Sequence, residues 1–176
     1  MKRKLTKANI DELRKEMPVL DLAEEKAVIG GGNLYIMNED GQIIFKGNTS
    51  SNEVIIAIGS IDSGNIIRLP GDTQLTPLKE GGFMITGSGV GKQVFESFAH
   101  STCVEWSLYE NSQTGYSAIN TSNDYRSIGI YNVPGCDTQY HNHEYGNYPS
   151  EADKNSKGYY SNYYIYHEES KTYIAY

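Results

Sequence analysis

Fourteen of the fifteen tyrosines in this 176-residue chain fall after Glu105, and the first 29 residues contain neither glycine nor tyrosine. That asymmetry constrains the fold more than any other feature. A Tyr-rich second half, containing Gly and Asn and short of leucine, builds strands and loops, because aromatic rings suit a pleated, half-buried surface. Leu34–Met37, Gln42–Phe45, Glu53–Ile58 and Ile66–Leu69 read as short strands, with Asn38–Gly41 as a hairpin turn. The polar, glycine-containing stretch from there to Gly91 has no assignable element. Lys92–Ser101 then carries Val94, Phe95 and Phe98 on one side, the spacing of an amphipathic helix. The expected fold class is α+β: a mostly antiparallel sheet with packed helices, behind a helical leader and a short β-rich segment.

Charge removes whole classes of partner. Fifteen basic against 22 acidic side chains leave a net charge of −7, with the excess concentrated after residue 32. Such a chain has no electrostatic footprint for nucleic acid or anionic lipid. Its longest apolar runs, such as Val54–Ile58, are far too short to span a bilayer with a helix. Gly87–Lys92 resembles a phosphate loop only superficially, since Gln93 stands where Ser or Thr must follow the lysine.

Residues 1–32 are a different kind of polypeptide. Ile10, Leu13, Met17 and Leu20 recur at helical spacing, interrupted by Pro18, and no long apolar core follows the basic start. This charged amphipathic stretch ending in Gly30-Gly31-Gly32 resembles the double-glycine leaders removed by peptidase-containing ABC exporters. The resemblance implies that the two glycines enter a narrow cleft that side chains would block. Val28 and Leu20 match the apolar anchor positions, whereas Glu25 occupies a position that is usually apolar. The third glycine leaves the cut open between 31/32 and 32/33. The same residues also read as a helix with a glycine C-cap before the first strand.

The chemistry lies further along. His141-Asn142-His143 places two imidazoles at i and i+2, on one face of a strand with Cα atoms about 6.6 Å apart. Both can converge on one metal while Asn142 points away. Ser150 and Asp153 follow, completing the pattern H-x-H-x6-S-x-x-D. Two nitrogens and one carboxylate oxygen leave the fourth tetrahedral position to water, the arrangement of a catalytic zinc. Ser150 and Asp153 are equally a helix start, the serine capping and the acid answering from the third position.

This run resembles the JAMM (JAB/MPN) metallopeptidase motif. With Val104-Glu105-Trp106 after a helix, and the tail Tyr163–Tyr166 and Tyr173–Tyr176, it is similar to the JAB-like toxin domains of bacterial polymorphic toxins, especially those of Bacteroidetes. The resemblance covers residues 88–176. It implies zinc held by His141, His143 and Asp153, with Glu105 as general base and Ser150 as hydrogen-bond donor to the oxyanion. Six residues rather than seven separate His143 from Ser150, and Glu144 replaces the usual proline. Glu96 and Glu110 are the other acids near Glu105.

The expected organisation is therefore a leader over 1–32, a β-rich segment of unknown role over 33–87 and a peptidase-like domain over 88–176. Export would permit a disulfide between Cys103 and Cys136. Cys103 beside His100 is a weaker enzymatic alternative, and His100 and His167 read as structural. The implied function is a secreted zinc peptidase acting as an antibacterial or host-directed toxin. Its partners would be a peptide or protein substrate, the exporter and a cognate immunity protein. The alternatives are a catalytically inactive JAMM-like binding protein and a secreted polypeptide whose clustered tyrosines form a recognition surface.

Overall fold

The structure is a computed structural model that describes residues 32–79, 81–124, 128–143, 148–155 and 157–176. Strand-forming residues dominate it, in two sheets. The smaller sheet contains β1 (Asn33–Met37), β2 (Ile43–Asn48), β3 (Glu53–Ile58) and β4 (Ile66–Pro70), in the order β2-β1-β3-β4. The larger contains β5 (Gln74–Pro77), β6 (Phe83–Thr86), β7 (Trp106–Glu110), β8 (Ser117–Thr121), β9 (Thr138–Asn142), β10 (Asn162–His167) and β11 (Thr172–Ala175). Its order is β11-β10-β9-β7-β8-β6-β5, antiparallel throughout except for β9 beside β10. Two α-helices, α1 (Lys92–Ser101) and the five-residue α2 (Glu151–Asn155), and one 3-10 turn over Ile61–Ser63 complete the described elements.

The strands expected before residue 70 and the helix over Lys92–Ser101 are present, because their signals are local. Asn38 and Gly41 close the expected hairpin turn, with the Gly41 N–H donating to the Asn38 carbonyl at 3.0 Å. The expected division at residue 87 does not follow the sheets. β5 and β6 come from the segment over 33–87, yet they extend the larger sheet through β6–β8 pairing.

One apolar core joins the two sheets and α1. Met37, Val54, Ile56, Ile58 and Leu69 of the small sheet meet Phe95, Phe98 and Ala99 of α1 and Trp106, Leu108 and Ile119 of the large sheet. Phe98 stacks on Trp106 with ring centroids 4.6 Å apart. Full burial of side chains this size contributes roughly 1.5–3 kcal/mol each. The Trp106 indole N–H donates to Thr102 Oγ1 at 2.8 Å, so its burial strands no donor.

The small sheet also latches the chain just before β7. The Cys103 N–H donates to the Glu39 carbonyl at 2.8 Å. Gly41, at φ +71°, comes so close to this segment that an added Cβ would stand 2.7 Å from Val104 Cγ2.

Several described tyrosines of the second half turn inward. Tyr109, Tyr160 and Tyr163 form a second buried cluster with Ala118 and Val133 on the far face of the large sheet. The Tyr163 hydroxyl accepts from the N–H groups of Gly158, Tyr159 and Tyr160 at 2.9–3.1 Å. Tyr116, Tyr148 and Tyr159 are the exposed large aromatics among the described tyrosines, while Tyr164, Tyr173 and Tyr176 are half-buried.

Candidate metal centre

The alternation of a strand assigns each residue of β7 and β9 to a face. Tyr140 and Asn142 face α1, and Gln139 and His141 face the other side. β7 and β9 pair antiparallel, with Ser107 opposite His141 and Tyr109 opposite Gln139. The same register, continued by two residues, sets Glu105 opposite His143. Asn142 points away from the histidines as expected, its Oδ1 accepting the Trp106 backbone N–H at 2.7 Å.

His141, His143 and Asp153 meet at the end of β9 and form the one group of three metal-competent side chains among the described residues. His141 Nε2 lies 2.9 Å from His143 Nε2. Asp153 presents Oδ1 to His141 Nε2 at 3.4 Å and Oδ2 to His143 Nε2 at 3.3 Å. Donor atoms on a tetrahedral zinc with bonds of about 2.0–2.2 Å stand about 3.3 Å from one another. With one ligand atom from each residue the three donors lie within 4.8 Å of one another, close enough to converge on a metal ion.

The reading of Ser150 and Asp153 as a helix start is met. The Ser150 N–H donates to Asp153 Oδ2 at 2.6 Å, and the Asp153 N–H donates to Ser150 Oγ at 3.1 Å. This reciprocal cap starts α2 and fixes the carboxylate beneath the histidines. Ser150 Oγ is thus an acceptor within the cap, and its own O–H hydrogen is not used by the cap.

Electrostatics divides the two histidines. Burial pushes the pKa of His141 down, against a partial opposing pull from Asp153, so the ring is neutral. Burial opposes charge on His143 too, but the Asp153 hydrogen bond and the negative charges of Glu105 and Asp153 raise its pKa overall. Burial alone would raise Asp153, yet hydrogen bonds from His141, His143 and Ser150 hold it well below the usual carboxylate range. The centre thus combines a permanent anion, a neutral imidazole and an imidazole that holds its proton more tightly than usual.

Glu105 sits just before β7 and is 8% exposed. Its backbone is held on both sides: its N–H donates to Asp124 O at 3.1 Å, and its carbonyl accepts from Thr121 Oγ1 at 2.9 Å. Val104 and Trp106 pack into the core on the opposite face, as the alternation predicts.

Two further residues belong to the centre. Gln139 is fully buried and its Nε2 lies 3.1 Å from both Ser107 Oγ and the Tyr140 carbonyl. The same amide meets His141 Nδ1 through both of its ends, Nε2 at 3.2 Å and Oε1 at 3.4 Å. With the His141 hydrogen on Nε2 the ring donates to Asp153; with it on Nδ1, Oε1 accepts it and Nε2 offers its lone pair to a metal. Strand parity carried this signal, since Gln139 stands two residues before His141. Tyr176 meets the His141 ring edge-on at 5.8 Å. No local sequence signal links it to the histidines; β10 and β11 bring it there.

The remaining expected residues lie elsewhere. Gly30 and Gly31, like the rest of the expected leader up to residue 31, lie outside the described residues, as does Glu144. Gly32 is built into the small sheet, where an added Cβ would lie 1.7 Å from Glu53 O. The expected disulfide is corrected: Cys103 and Cys136 are both free thiols. They flank opposite ends of β7: Cys103 precedes its start, whereas Cys136 is followed by Asp137, whose N–H donates to the carbonyl of Glu110 at the strand's end at 2.9 Å. His100 Nε2 bonds the Tyr166 hydroxyl at 2.8 Å and His167 Nδ1 bonds Ser170 Oγ, both away from Cys103.

No family model, no curated protein and no solved structure matches this chain.

Proposed function

We propose that this protein is a zinc-dependent hydrolase of JAMM type that cleaves an amide or isopeptide bond, and that its α+β fold is a divergent form of the JAMM sheet. The observation that supports this most is the convergence of His141, His143 and Asp153, whose donor atoms lie within 4.8 Å of one another, with Glu105 acting electrostatically on the same centre. A zinc ion held by these three side chains supplies Lewis acidity, polarising a water or a carbonyl.

The protein's own groups supply the rest. Glu105 takes the proton of the attacking water and delivers it to the leaving nitrogen as the C–N bond breaks. Gln139 Oε1 accepts the Nδ1 hydrogen in the His141 tautomer whose Nε2 is a lone pair. Ser150 directs its remaining O–H hydrogen to the oxygen that gains charge. Asp153, anchored by the helix cap, holds its negative charge across the working pH range.

The biological reading follows from the same resemblance: a toxin exported after removal of a double-glycine leader, directed at a competitor or host, with a cognate immunity protein. The second reading is a catalytically inactive binding protein. It is favoured by one observation, that the His–His contact and the two Asp153 pairs already give the three side chains partners without an ion.

Metal content of the purified full chain, beside His143→Ala, tests the metal. About one zinc per chain, lost in the variant, is the expected result; none in either protein after incubation with excess zinc overturns the proposal. Glu105→Gln then separates the two readings. Zinc retained, with hydrolysis of a fluorogenic peptide library reduced about 10²–10⁴-fold, identifies the general base. Zinc bound by the native chain with no hydrolysis of any library member favours the binding protein.

A further inference from the structure

Tyr176 is the one residue at the centre whose polar atom is buried without use. Its hydroxyl is shielded from solvent and has no hydrogen-bond partner among the described residues. Burying a hydroxyl in this way is unfavourable, and buried tyrosine hydroxyls in this fold otherwise find partners: Tyr109 with Gly129 and Tyr131, Tyr160 with Val133 and Tyr131. The position is set firmly. The Tyr176 N–H donates to the Tyr163 carbonyl at 3.1 Å, its ring stands edge-on to His141 at 5.8 Å and tilts against Tyr163 at 5.9 Å. The Lys157 ammonium lies over the ring at 4.8 Å. The hydroxyl is also close enough to Asp153 for the carboxylate charge to act on it. A phenol beside a carboxylate that is itself engaged by His141, His143 and Ser150 is a donor waiting for a second anionic oxygen.

We infer that Tyr176 donates its O–H hydrogen to the anionic oxygen of a ligand bound at the His141–His143–Asp153 centre, making it a further ligand-contacting residue alongside Ser150. The inference rests on the metal reading of that centre and adds a residue that the H-x-H…S-x-x-D pattern does not contain. A tyrosine donor suits a ligand whose oxygen gains negative charge on binding, such as the carbonyl of an amide under attack. It offers nothing to an apolar group. The hydroxyl that is idle in the ligand-free protein is employed once that oxygen arrives.

The test uses the full chain and Tyr176→Phe, each loaded with zinc, and acetohydroxamate as an anionic probe. Calorimetry gives the zinc affinity and then the probe affinity; thermal melting is followed on the metal-free proteins. The expected result is unchanged zinc affinity, acetohydroxamate binding weakened about tenfold, and a melting temperature of metal-free Tyr176→Phe that is equal or a few degrees higher. A purely structural tyrosine would lower the melting temperature and leave the probe affinity alone, and either of those results overturns the inference. Native chain that takes up no zinc removes the metal reading itself. Equal probe affinity with zinc bound removes only the role of Tyr176.

Discussion

Gln139→Leu is the perturbation that most directly tests how this centre is built. Leucine fills nearly the same buried volume and removes the polar end of the side chain. Three things are lost: the two N–H bonds to Ser107 Oγ and the Tyr140 carbonyl, and the Oε1 contact with His141 Nδ1. The first two bear on stability. Each is worth about 1 kcal/mol, partly offset because an apolar group replaces the amide, so metal-free protein should lose about 1–2 kcal/mol, or roughly 3–6 °C of melting temperature. The third bears on metal. Without Oε1 the Nδ1 hydrogen of the metal-binding tautomer loses its acceptor and the ring is free to turn. Losing such an outer partner costs about 10- to 100-fold in metal affinity. The long 3.4 Å separation places this case near the lower end, at about tenfold or 1.4 kcal/mol. Zinc affinity by competition with a chromophoric chelator measures it, with Ser107→Ala as the control that disturbs only the remote end of the amide. A zinc dissociation constant within twofold of native, alongside the lowered melting temperature, would show that Gln139 packs the strand and does not orient His141.

Four other outcomes are expected. Zinc must displace the proton that Asp153 and Glu105 help His143 to hold, while His141 is already neutral. Zinc affinity should therefore fall about tenfold per pH unit below the raised His143 value, with the decline beginning above the ordinary 6.5; a flat profile between pH 6 and 8 would refute this. Both cysteines should react under non-reducing conditions, exposed Cys103 fast at pH 8 and Cys136 slowly, because burial, aided by Asp137 and Glu110, pushes its thiol up to about 11; mass spectrometry of alkylated protein counts them. Gly41→Ala puts a side chain at φ +71° and a Cβ 2.7 Å from Val104 Cγ2, which should cost about 1–3 kcal/mol in chemical denaturation. Asp153→Ala should abolish zinc binding and also weaken the α2 cap by about 1 kcal/mol, whereas Ser150→Ala should weaken the cap and leave zinc bound.

How much of this was legible beforehand depends on the separation of the residues involved. The small-sheet strands, the α1 helix and the reciprocal cap of Ser150 and Asp153 were all readable, because each signal lies within a few residues. The pairing of His141 with His143 was readable too, since strand parity puts i and i+2 on one face. The cysteines and the segment over 33–87 were not. A disulfide needs proximity, and the β7–β9 register sends Cys103 and Cys136 to opposite ends of the strand pair. β5 and β6 look like part of the N-terminal segment until β6 pairs with β8.

The sequence by itself determined which donors exist, that two imidazoles share a face, and that an aspartate follows at the start of a helix. Only the tertiary structure decided that Asp153 reaches those imidazoles, that antiparallel pairing aligns Glu105 with His143, and that Tyr176 is carried in by β10 and β11 to stand against His141. The physical reason is that periodicity along a strand fixes the facing of each side chain locally. Its neighbours across the sheet are set by strand order and register, which depend on contacts between residues tens of positions apart.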